Sequence, residues 1–318
     1  MNIYHKKMKE NPSITILTGG VGPEKEISLL TGNALFQSLK NLFDVSITEL
    51  VDESIPSVNE LNDTVVFPAI HGTFGEDGRL QEMLENAGLN YAGSDANSSR
   101  LCMNKYDSKR VVHSNGVRIA PDLKFNHPEK LDIDEVLEVI GPNAIIKPVD
   151  QGSSVGLHVI NGEDELRSTL TKLEDGDWMI EKRIFGRELT VGILGDSSMG
   201  IVEVIPKGGL YDYERKYSAG TTEYRYPAVL DCQIENEVKA FAIDAFRACG
   251  CRDFGRVDFI LNEDGKVYFL EINTIPGLTE TSLLPKSASC SGYSFEKLTN
   301  QLIQPALSRY AHSNLLIA

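Results

Sequence analysis

The first ninety residues alternate short apolar runs with segments whose apolar residues recur at helical spacing. Residues 14–18 form a β-branched run that ends in Gly19-Gly20, and residues 26–35 follow with a helical pattern. Similar patterns predict strands at residues 45–50 and 64–70, and a helix at residues 80–87 that Gly88 closes. This order predicts a parallel α/β domain over residues 1–93. Ligands bind outside the carboxyl ends of parallel strands, so the loops at residues 20–22 and 71–72 are candidate site loops.

Two further domains with mixed patterns are predicted from residue 94 onward, so the expected fold class is α/β with α+β elements. The second domain covers residues 94–182, with helices at 104–113 and 163–173 and strands at 144–148, 157–160 and 178–181. The third covers residues 183–318, with strands at 188–194 and 201–205, a long polar loop at 207–226, a helix at 235–248, a hairpin at 256–272 and a terminal helix.

The hairpin carries the strongest local signal for a chemical site. Residues 264–265 are Asp-Gly, a favoured two-residue turn, and that turn places Asp258 directly opposite Glu271. The same register places Arg256 opposite Asn273, so all four polar groups share one face. On the other face the predicted pairs are Val257 with Ile272, Phe259 with Leu270, and Leu261 with Tyr268. Two carboxylates about 5 Å apart at Cβ repel each other, so another charge must offset them.

The polar face of the hairpin has two interpretations. Asp258, Glu271 and Asn273 offer hard oxygen atoms, which suit Mg²⁺ ions that also hold nucleotide phosphates. The alternative is a solvated polar face that Arg256 neutralises. The turn-rich stretch at residues 273–279 directly follows the carboxylate strand and favours the metal site.

A second candidate site is the loop after the predicted strand that ends near Lys147. This lysine and the Gly- and Ser-rich residues 152–156 would supply a cation and open backbone N–H groups for phosphate oxygens, although an ordinary hairpin turn has the same pattern. The P-loop pattern is absent, and residues 19–22 lack the full dinucleotide-binding spacing. Glu181 and Lys182 lie at the end of the predicted strand at residues 178–181, where a surface charge cluster is the alternative to a site.

Composition narrows the classes of function. The chain has 318 residues with 41% hydrophobic and 24% charged residues, as expected for a globular protein of two or three domains. Its net charge of −15, without a Lys/Arg run, argues against a nucleic-acid partner. We find neither a secretory signal nor a membrane-spanning run, so no membrane partner is expected. The five scattered cysteines argue against a disulfide framework and favour a reducing cytosol, with Cys249 and Cys251 as buried small residues.

Taken together, the motifs resemble those of the D-alanine–D-alanine ligase family of the ATP-grasp superfamily over almost the whole chain. Together they are highly specific, although each alone is weak. The motifs are Gly19-Gly-x-x-x-Glu24-x-Glu26-x-Ser28, His71-Gly-x-x-Gly75-Glu-Asp-Gly78, Lys147-Pro followed by Gly152-Ser-Ser-Val-Gly156, Tyr211-Asp-Tyr-Glu-x-Lys216-Tyr217, and Glu271-x-Asn273-Thr-x-Pro-Gly277.

The resemblance implies a nucleotide and metal site. It assigns the ATP phosphates to Lys105, Lys147 and Ser153, the adenine edge to Glu181, Lys182 and Ile184, the ribose to Glu188, and two Mg²⁺, with Mn²⁺ as a substitute, to Asp258, Glu271 and Asn273.

It also implies a substrate site. It assigns the ammonium of the first D-alanine to Glu24 with His71 nearby, the transferring phosphoryl group to Lys216, loop closure to Tyr217 with Glu24 and Ser153, the oxyanion to Arg256 and the Gly277 backbone, and the carboxylate of the second D-alanine to Ser282 and Leu283.

The activity that the resemblance implies is ATP-dependent joining of two D-alanines through an acylphosphate, in a cytoplasmic homodimer that makes peptidoglycan precursors. Arg183 and Thr281 depart from residues common in relatives, and the segment before residue 14 has no assigned role. Two alternatives stay open: a ligase whose second substrate is D-serine or D-lactate, with Tyr217 arguing against D-lactate, and a catalytically silent nucleotide-binding protein.

Overall fold

A computed structural model describes residues 12–207 and 221–315 and places them in three β-sheets. The first sheet lies in the N-terminal part. Its elements are β1 (Ser13–Gly19), α1 (Lys25–Leu39), β2 (Val45–Leu50), β3 (Thr64–Pro68) and α2 (Arg79–Asn86). The strands are parallel in the order β2-β1-β3, which confirms the predicted parallel sheet. Strand β3 ends two residues earlier than predicted, so the loop that carries His71 begins at residue 69.

Two helices connect the first sheet to the rest of the chain, α3 (Ala96–Met103) and α4 (Lys105–Ser114). Asp95 caps α3 by accepting a hydrogen bond from Ser98 N, and Asn104 caps α4 by accepting one from Asp107 N. The chain therefore breaks at Asn104, and Lys105 becomes the first residue of a new helix. Contacts with the third sheet hold α3 and α4 in place.

The second sheet has the order β4-β7-β5-β6 and is antiparallel. Its elements are β4 (Asp122–Phe125), a 3₁₀ turn (Pro128–Lys130), α5 (Ile133–Val139), β5 (Asn143–Pro148), β6 (His158–Asn161), α6 (Glu163–Leu170) and β7 (Trp178–Lys182). Helix α6 ends three residues before the predicted end. Val136 and Leu166 from the two helices pack with Ile146 and Ile180 from the strands, which buries one face of the sheet.

The third sheet is antiparallel in the order β10-β9-β8-β11-β12. Its elements are β8 (Gly186–Leu194), β9 (Ser197–Pro206), β10 (Thr222–Arg225), α7 (Cys232–Ala248), β11 (Phe254–Asn262), β12 (Val267–Asn273), α8 (Leu283–Ser289) and α9 (Phe295–Leu315). Strand β10 corrects the prediction of an uninterrupted loop at residues 207–226. It pairs with the end of β9, and the antiparallel ladder there was not visible in its polar sequence.

The β11–β12 hairpin has the predicted register at its polar end and a different one near its turn. Asp258 pairs with Glu271 and Arg256 with Asn273, as predicted. The turn has three loop residues instead of two, since Asn262 N bonds to Lys266 O, and Phe259 therefore pairs with Phe269. A β-bulge at Leu270 restores the predicted register before the polar end. The predicted pairings of Phe259 with Leu270 and of Leu261 with Tyr268 are therefore wrong, since Leu261 pairs with Val267.

Long-range packing crosses the predicted domain boundaries. Helix α9 packs on the first sheet, where Leu298 and Leu302 join a buried cluster with Leu35 and Phe67. In the same way, Cys102 of α3 joins the core of the third sheet. The boundaries at residues 93 and 182 stay a prediction. Among the helices of the described ranges, none combines the length and apolar character needed to cross a bilayer.

Candidate active site

A cavity of about 310 Å³ lies where loops from all three sheets meet. It is lined by most of the residues that the sequence assigned to substrate, phosphate and metal: Glu24, His71, Lys105, Ser153, Arg256, Glu271, Asn273, Gly277, Ser282 and Leu283. These residues are separated by up to 259 positions in the sequence, and only folding brings them together. The predicted loops at residues 71–72 and 152–156 both reach this cavity.

A hydrogen bond joins the first sheet's loop to the loop of the second sheet. Ser153 Oγ donates to Glu24 Oε1 at 2.6 Å, and the Glu24 side chain is buried. Ser153 holds a φ of +51°, a left-handed conformation that costs energy for a non-glycine residue. A Cβ at position 72 would lie 2.7 Å from Glu24 Oε2, so glycine at that position leaves room for the carboxylate. The predicted third member, Tyr217, lies outside the described residues, as does Lys216.

His71 connects three segments around the cavity. Its Nδ1 lies 3.1 Å from the carbonyl oxygen of Ile275, and its Nε2 lies 2.9 Å from Thr31 Oγ1. A carbonyl oxygen only accepts hydrogen bonds, so the neutral ring carries its proton on Nδ1 and accepts from the threonine hydroxyl at Nε2. Glu76 Oε1, 3.5 Å from Nδ1, lies on the same side of the ring. Both ring nitrogens therefore serve to fix the loops of the site.

The Asp258 carboxylate accepts four hydrogen bonds, two from Arg256 at 2.9 Å each, one from Asn273 Nδ2 at 3.0 Å and one from Thr190 Oγ1. Arg256 therefore neutralises Asp258, as in the second interpretation of the hairpin. The face is not solvated, however, because Asp258 is only 7% exposed. The arginine offsets the repulsion between the two paired carboxylates.

Glu271 faces the cavity beside a lysine from α4. Lys105 Nζ lies 3.4 Å from Glu271 Oε2 and donates a 2.7 Å hydrogen bond to the Gln151 carbonyl oxygen next to the Gly-rich loop. The lysine therefore sits between the carboxylate strand and the predicted phosphate loop. A cation in this position suits a bound phosphate that approaches both elements.

The donor set of the hairpin end fits a hard divalent cation. Asp258 and Glu271 are opposite each other on the ladder, and Asn273 Nδ2 donates to Asp258, which leaves Oδ1 as the amide's ligand atom. In this conformation Arg256 occupies both oxygens of Asp258. Metal coordination by Asp258 would therefore require Arg256 to release at least one of them.

A buried ion-pair network lies at the end of β5, next to the predicted phosphate loop. Lys147 Nζ is 2.6 Å from Glu181 Oε1, and Lys109 Nζ contacts the other oxygen of Glu181. Lys109 also lies 4.0 Å from Asp122, which Arg110 holds at 2.6 Å. Burial alone raises the pKa of Glu181, but the charges of Lys109 and Lys147 outweigh it and lower that pKa to about 2. The Glu181 carboxylate is thus ionised and holds Lys147.

The other residues predicted for the nucleotide lie outside the cavity lining. Lys182 is exposed at the end of β7, while Ile184 follows it and Glu188 belongs to β8, and both are half-buried. Lys147, Glu181 and Asp258 are likewise absent from the lining residues. Glu181 and Asp258 are both buried, and Asp258 contacts Arg256, which lines the cavity. Their assignment to adenine, ribose and phosphate stays a prediction.

Sequence reasoning missed two side chains that hold site residues in place. Lys109 is fully buried against Glu181, and Thr190 donates a hydrogen bond to Asp258. Lys109 follows Lys105 by four residues in a predicted helix, so the shared helical face was a usable signal. No comparable signal marked Thr190, because its contact depends on the pairing of β8 with β11.

Comparisons with known proteins agree on one family. The family models described as D-ala D-ala ligase C-terminus and D-ala D-ala ligase N-terminus match residues 112–304 and 48–94. A D-alanine–D-alanine ligase of Geobacter sulfurreducens is 39% identical over 91% of this chain and 92% of its own, and one of Thermotoga maritima is 40% identical over 92% and 97%.

Solved structures give the same result. A D-alanine–D-alanine ligase of Bacillus anthracis complexed with ATP is 30% identical, with a TM-score of 0.82 over 96% of this chain and all of that chain. The VanG D-Ala:D-Ser ligase of Enterococcus faecalis is 28% identical, with a TM-score of 0.83 over 93% of this chain and all of that chain. The three-sheet fold of this chain is therefore the ATP-grasp fold of these ligases.

Proposed function

Because this chain belongs to the D-alanine–D-alanine ligase family, we propose that it joins two D-alanines to D-alanyl-D-alanine with ATP and releases ADP and phosphate. The observation that carries the proposal is one cavity in which Glu24, Lys105, Arg256 and Glu271 converge from four separate segments. An anion for an ammonium group, cations for phosphate oxygens and metal-type carboxylates are the groups that this reaction requires. A catalytically silent protein would have no need to keep them together.

The two steps of the reaction both build up negative charge. A carboxylate oxygen of the first D-alanine attacks the γ-phosphorus of ATP, and ADP leaves as the acylphosphate forms. The amine of the second D-alanine, in its unprotonated form, then attacks the acyl carbon, and phosphate leaves from the tetrahedral intermediate as the amide forms. We assign the ammonium of the first D-alanine to Glu24 and the developing oxyanion to Arg256 with the Gly277 backbone.

Several residues position these groups. Ser153 holds Glu24 through its 2.6 Å hydrogen bond, and Lys105 is held between Glu271 and the Gln151 carbonyl, where it can meet a phosphate oxygen. Lys147 is proposed for the other phosphates, Glu181, Lys182, Ile184 and Glu188 for adenine and ribose, and Ser282 with Leu283 for the second carboxylate. Lys216 and Tyr217 lie outside the described residues. Lys216 is proposed to contact the transferring phosphoryl group, and Tyr217 to take part in loop closure.

Asp258, Glu271 and Asn273 are the residues that would hold two Mg²⁺, or Mn²⁺ as a substitute. These ions would supply positive charge that neutralises the phosphate oxygens during transfer. Arg256 would then turn from Asp258 toward the developing oxyanion. Its two roles, beside Asp258 and beside the developing oxyanion, are compatible, because both need the same cation at the same hairpin end.

Family membership also supports a cytoplasmic homodimer that serves peptidoglycan synthesis, and three domains divided near residues 93 and 182.

One structural neighbour suggests a different second substrate. The VanG D-Ala:D-Ser ligase matches the fold of this chain with the same TM-score, 0.83, as a D-alanine–D-alanine ligase of Bacillus anthracis. The protein is incubated with ATP, Mg²⁺ and equimolar D-alanine and D-serine, and with D-lactate in a parallel mixture. The products are then distinguished by mass. We expect D-alanyl-D-alanine as the main product between pH 6 and pH 9. A main product with a D-serine or D-lactate end would replace the proposed second substrate, and no product in any mixture would contradict the ligase assignment.

A further inference from the structure

Three of the five cysteines form a cluster at the wall of the cavity. Cys102, near the end of α3, lies with its Sγ 3.4 Å from Cys251 Sγ, and Cys249 contacts the same thiol. None of the described cysteines is in a disulfide. Because Cys102 is 147 residues from Cys249, the cluster depends on tertiary packing and not on a local motif.

The end of helix α7 explains why two of the thiols point the same way. Gly250 adopts a φ of +70°, Gly250 N bonds to Arg247 O, and Cys251 N bonds to Phe246 O. This is a Schellman motif, which reverses the chain and brings the residues on both sides of the glycine onto α3. Ser98 Oγ donates to the Gly250 carbonyl oxygen at 2.8 Å, one helical turn before Cys102. Two contacts along one face of α3 therefore hold this turn in place.

The three thiols differ in their access to solvent. Cys102 and Cys249 are each 3% exposed, whereas Cys251 is half-buried. Contacts with Cys249 and Cys251, together with burial, raise the pKa of the Cys102 thiol, so Cys102 stays protonated and is a poor first nucleophile. A small oxidant therefore meets Cys251 first.

A metal is a poorer occupant of the cluster than an oxidant. A metal site needs at least three ligand atoms that lie close together. Within the described ranges, the side chains of His127, Glu129 and Asp175 form such a group, with all three donor atoms within 4.8 Å of one another. This group is exposed and does not include the thiols. The three sulfur atoms do not form such a group, so they are not arranged to share one ion. The contact between Cys102 Sγ and Cys251 Sγ instead favours a disulfide bond between them.

We propose that Cys102 and Cys251 are a modification site at which a hydroperoxide forms a reversible disulfide. In the first step the Cys251 sulfur attacks the peroxide oxygen, and the products are a sulfenic acid and, from hydrogen peroxide, one water. In the second step the Cys102 sulfur attacks the sulfenic sulfur, its proton leaves with the hydroxyl group as a second water, and the S–S bond forms. The two thiols lose two electrons in total, and these reduce the O–O bond.

The disulfide would act on the cavity because Cys102 lies in its wall, three residues before Lys105 at the start of α4. Cys102, Met103 and Lys105 all line the cavity, and Cys251 lies three residues before β11, the strand of Arg256. A disulfide bond is about 2.05 Å long, so the sulfurs must approach each other by more than 1 Å. A displacement of about 1 Å at a site residue costs up to roughly 100-fold in rate, so we expect oxidation to lower turnover by about 10- to 100-fold. This expected loss, unlike the disulfide itself, rests on the proposed function.

The test treats the whole protein with a small molar excess of hydrogen peroxide, unfolds it in N-ethylmaleimide and maps the peptides by mass. We expect a peptide pair that joins Cys102 to Cys251, loss of two hydrogens, and reversal by dithiothreitol. Cys251→Ser should abolish the pair. The matched control Cys232→Ser, which removes the exposed cysteine of α7, should leave it unchanged. Melting temperatures of both variants, measured without peroxide, check that they fold.

Each outcome decides a separate point. A bond between other cysteines, or free Cys102 and Cys251 after treatment of the wild-type protein, would overturn the proposed site without affecting the ligase assignment. A Cys102–Cys251 bond with unchanged turnover would overturn the effect on the cavity. Absence of turnover in the reduced protein would instead contradict the proposed function and leave the disulfide result standing.

Discussion

Replacement of Glu181 by glutamine tests the buried ion-pair network that Glu181 forms with Lys109 and Lys147. The change keeps the shape of the side chain and removes the charge that lies between Lys109 and Lys147. Lys109 is fully buried, and its remaining acidic neighbour, Asp122, is 4.0 Å away. We therefore expect Glu181→Gln to leave a poorly compensated buried lysine and to lower the stability of the fold.

The magnitude follows from the depressed pKa of Glu181, which falls from 4.5 to about 2. At about 1.4 kcal/mol for each pH unit, this difference corresponds to about 3–4 kcal/mol. Removal of one partner from a buried ion pair costs a similar amount, about 3–5 kcal/mol. For a chain of this length such a loss lowers the melting temperature by roughly 5–10 °C.

The stabilisation of the fold by Glu181 decreases as the pH falls. Because the folded-state pKa is depressed, the stabilisation from Glu181 is fully present above about pH 4.5 and is lost as the pH falls toward 2. Burial raises the pKa of Asp122, which gives a contribution of opposite sign, but Asp122 is present in both proteins. The difference in melting temperature between wild type and Glu181→Gln should therefore shrink as the pH falls from 6 to 3.

The measurement is thermal unfolding of both proteins at several pH values. The matched control is Glu163→Gln, which removes an exposed carboxylate paired with Arg167 four residues later on α6. We expect that control to change stability by at most about 0.5 kcal/mol. A melting temperature of Glu181→Gln equal to that of the control at pH 7, or a difference that does not depend on pH, would refute the reasoning.

Three further substitutions test the cavity. Glu271→Gln should raise the Mg²⁺ concentration needed for half-maximal turnover and lower turnover at least about 100-fold. The control Glu263→Gln, in the exposed turn of the same hairpin, should change neither quantity. Equal Mg²⁺ titrations for the two variants would contradict this expectation. Ser153→Ala removes the hydrogen bond to Glu24 and should raise the KM for D-alanine more than it lowers kcat, and an unchanged KM would argue against that contact. Gly75→Ala places a methyl group 1.9 Å from a backbone carbonyl oxygen, so its melting temperature should fall by several degrees, and a wild-type value would show that the loop can move.

The hairpin shows how much of the site the sequence could predict. A two-residue turn at Asp264-Gly265 predicted Asp258 opposite Glu271, and the structure has that pair. The turn itself was predicted wrongly, because an Asp-Gly pair also fits a three-residue loop with Gly265 at positive φ. The register survived only because the bulge at Leu270 compensates for the longer turn. No sequence pattern marked that bulge.

Contacts between distant elements were beyond prediction from the sequence. In the sequence, Glu181 and Lys182 have the pattern of a surface charge cluster. Whether such residues are buried depends on which helix covers them. Here α4 places Lys109 directly on Glu181; the spacing from Lys105 indicated a helical face, but the partner of Lys109 is set by packing. The thiol cluster is a similar case, since Cys249 and Cys251 become significant only when α3 brings Cys102 to them.

Transfer of oxygen from substrate to phosphate tests the proposed reaction most directly. The protein is incubated with ATP, Mg²⁺ and D-alanine whose carboxylate carries ¹⁸O, and the released phosphate and dipeptide are analysed by mass. If the carboxylate attacks the γ-phosphorus and phosphate then leaves from the acyl carbon, one ¹⁸O enters phosphate for each dipeptide formed, with one ADP. Phosphate that carries no ¹⁸O from the substrate, or ADP release that does not depend on D-alanine, would contradict ligation through an acylphosphate.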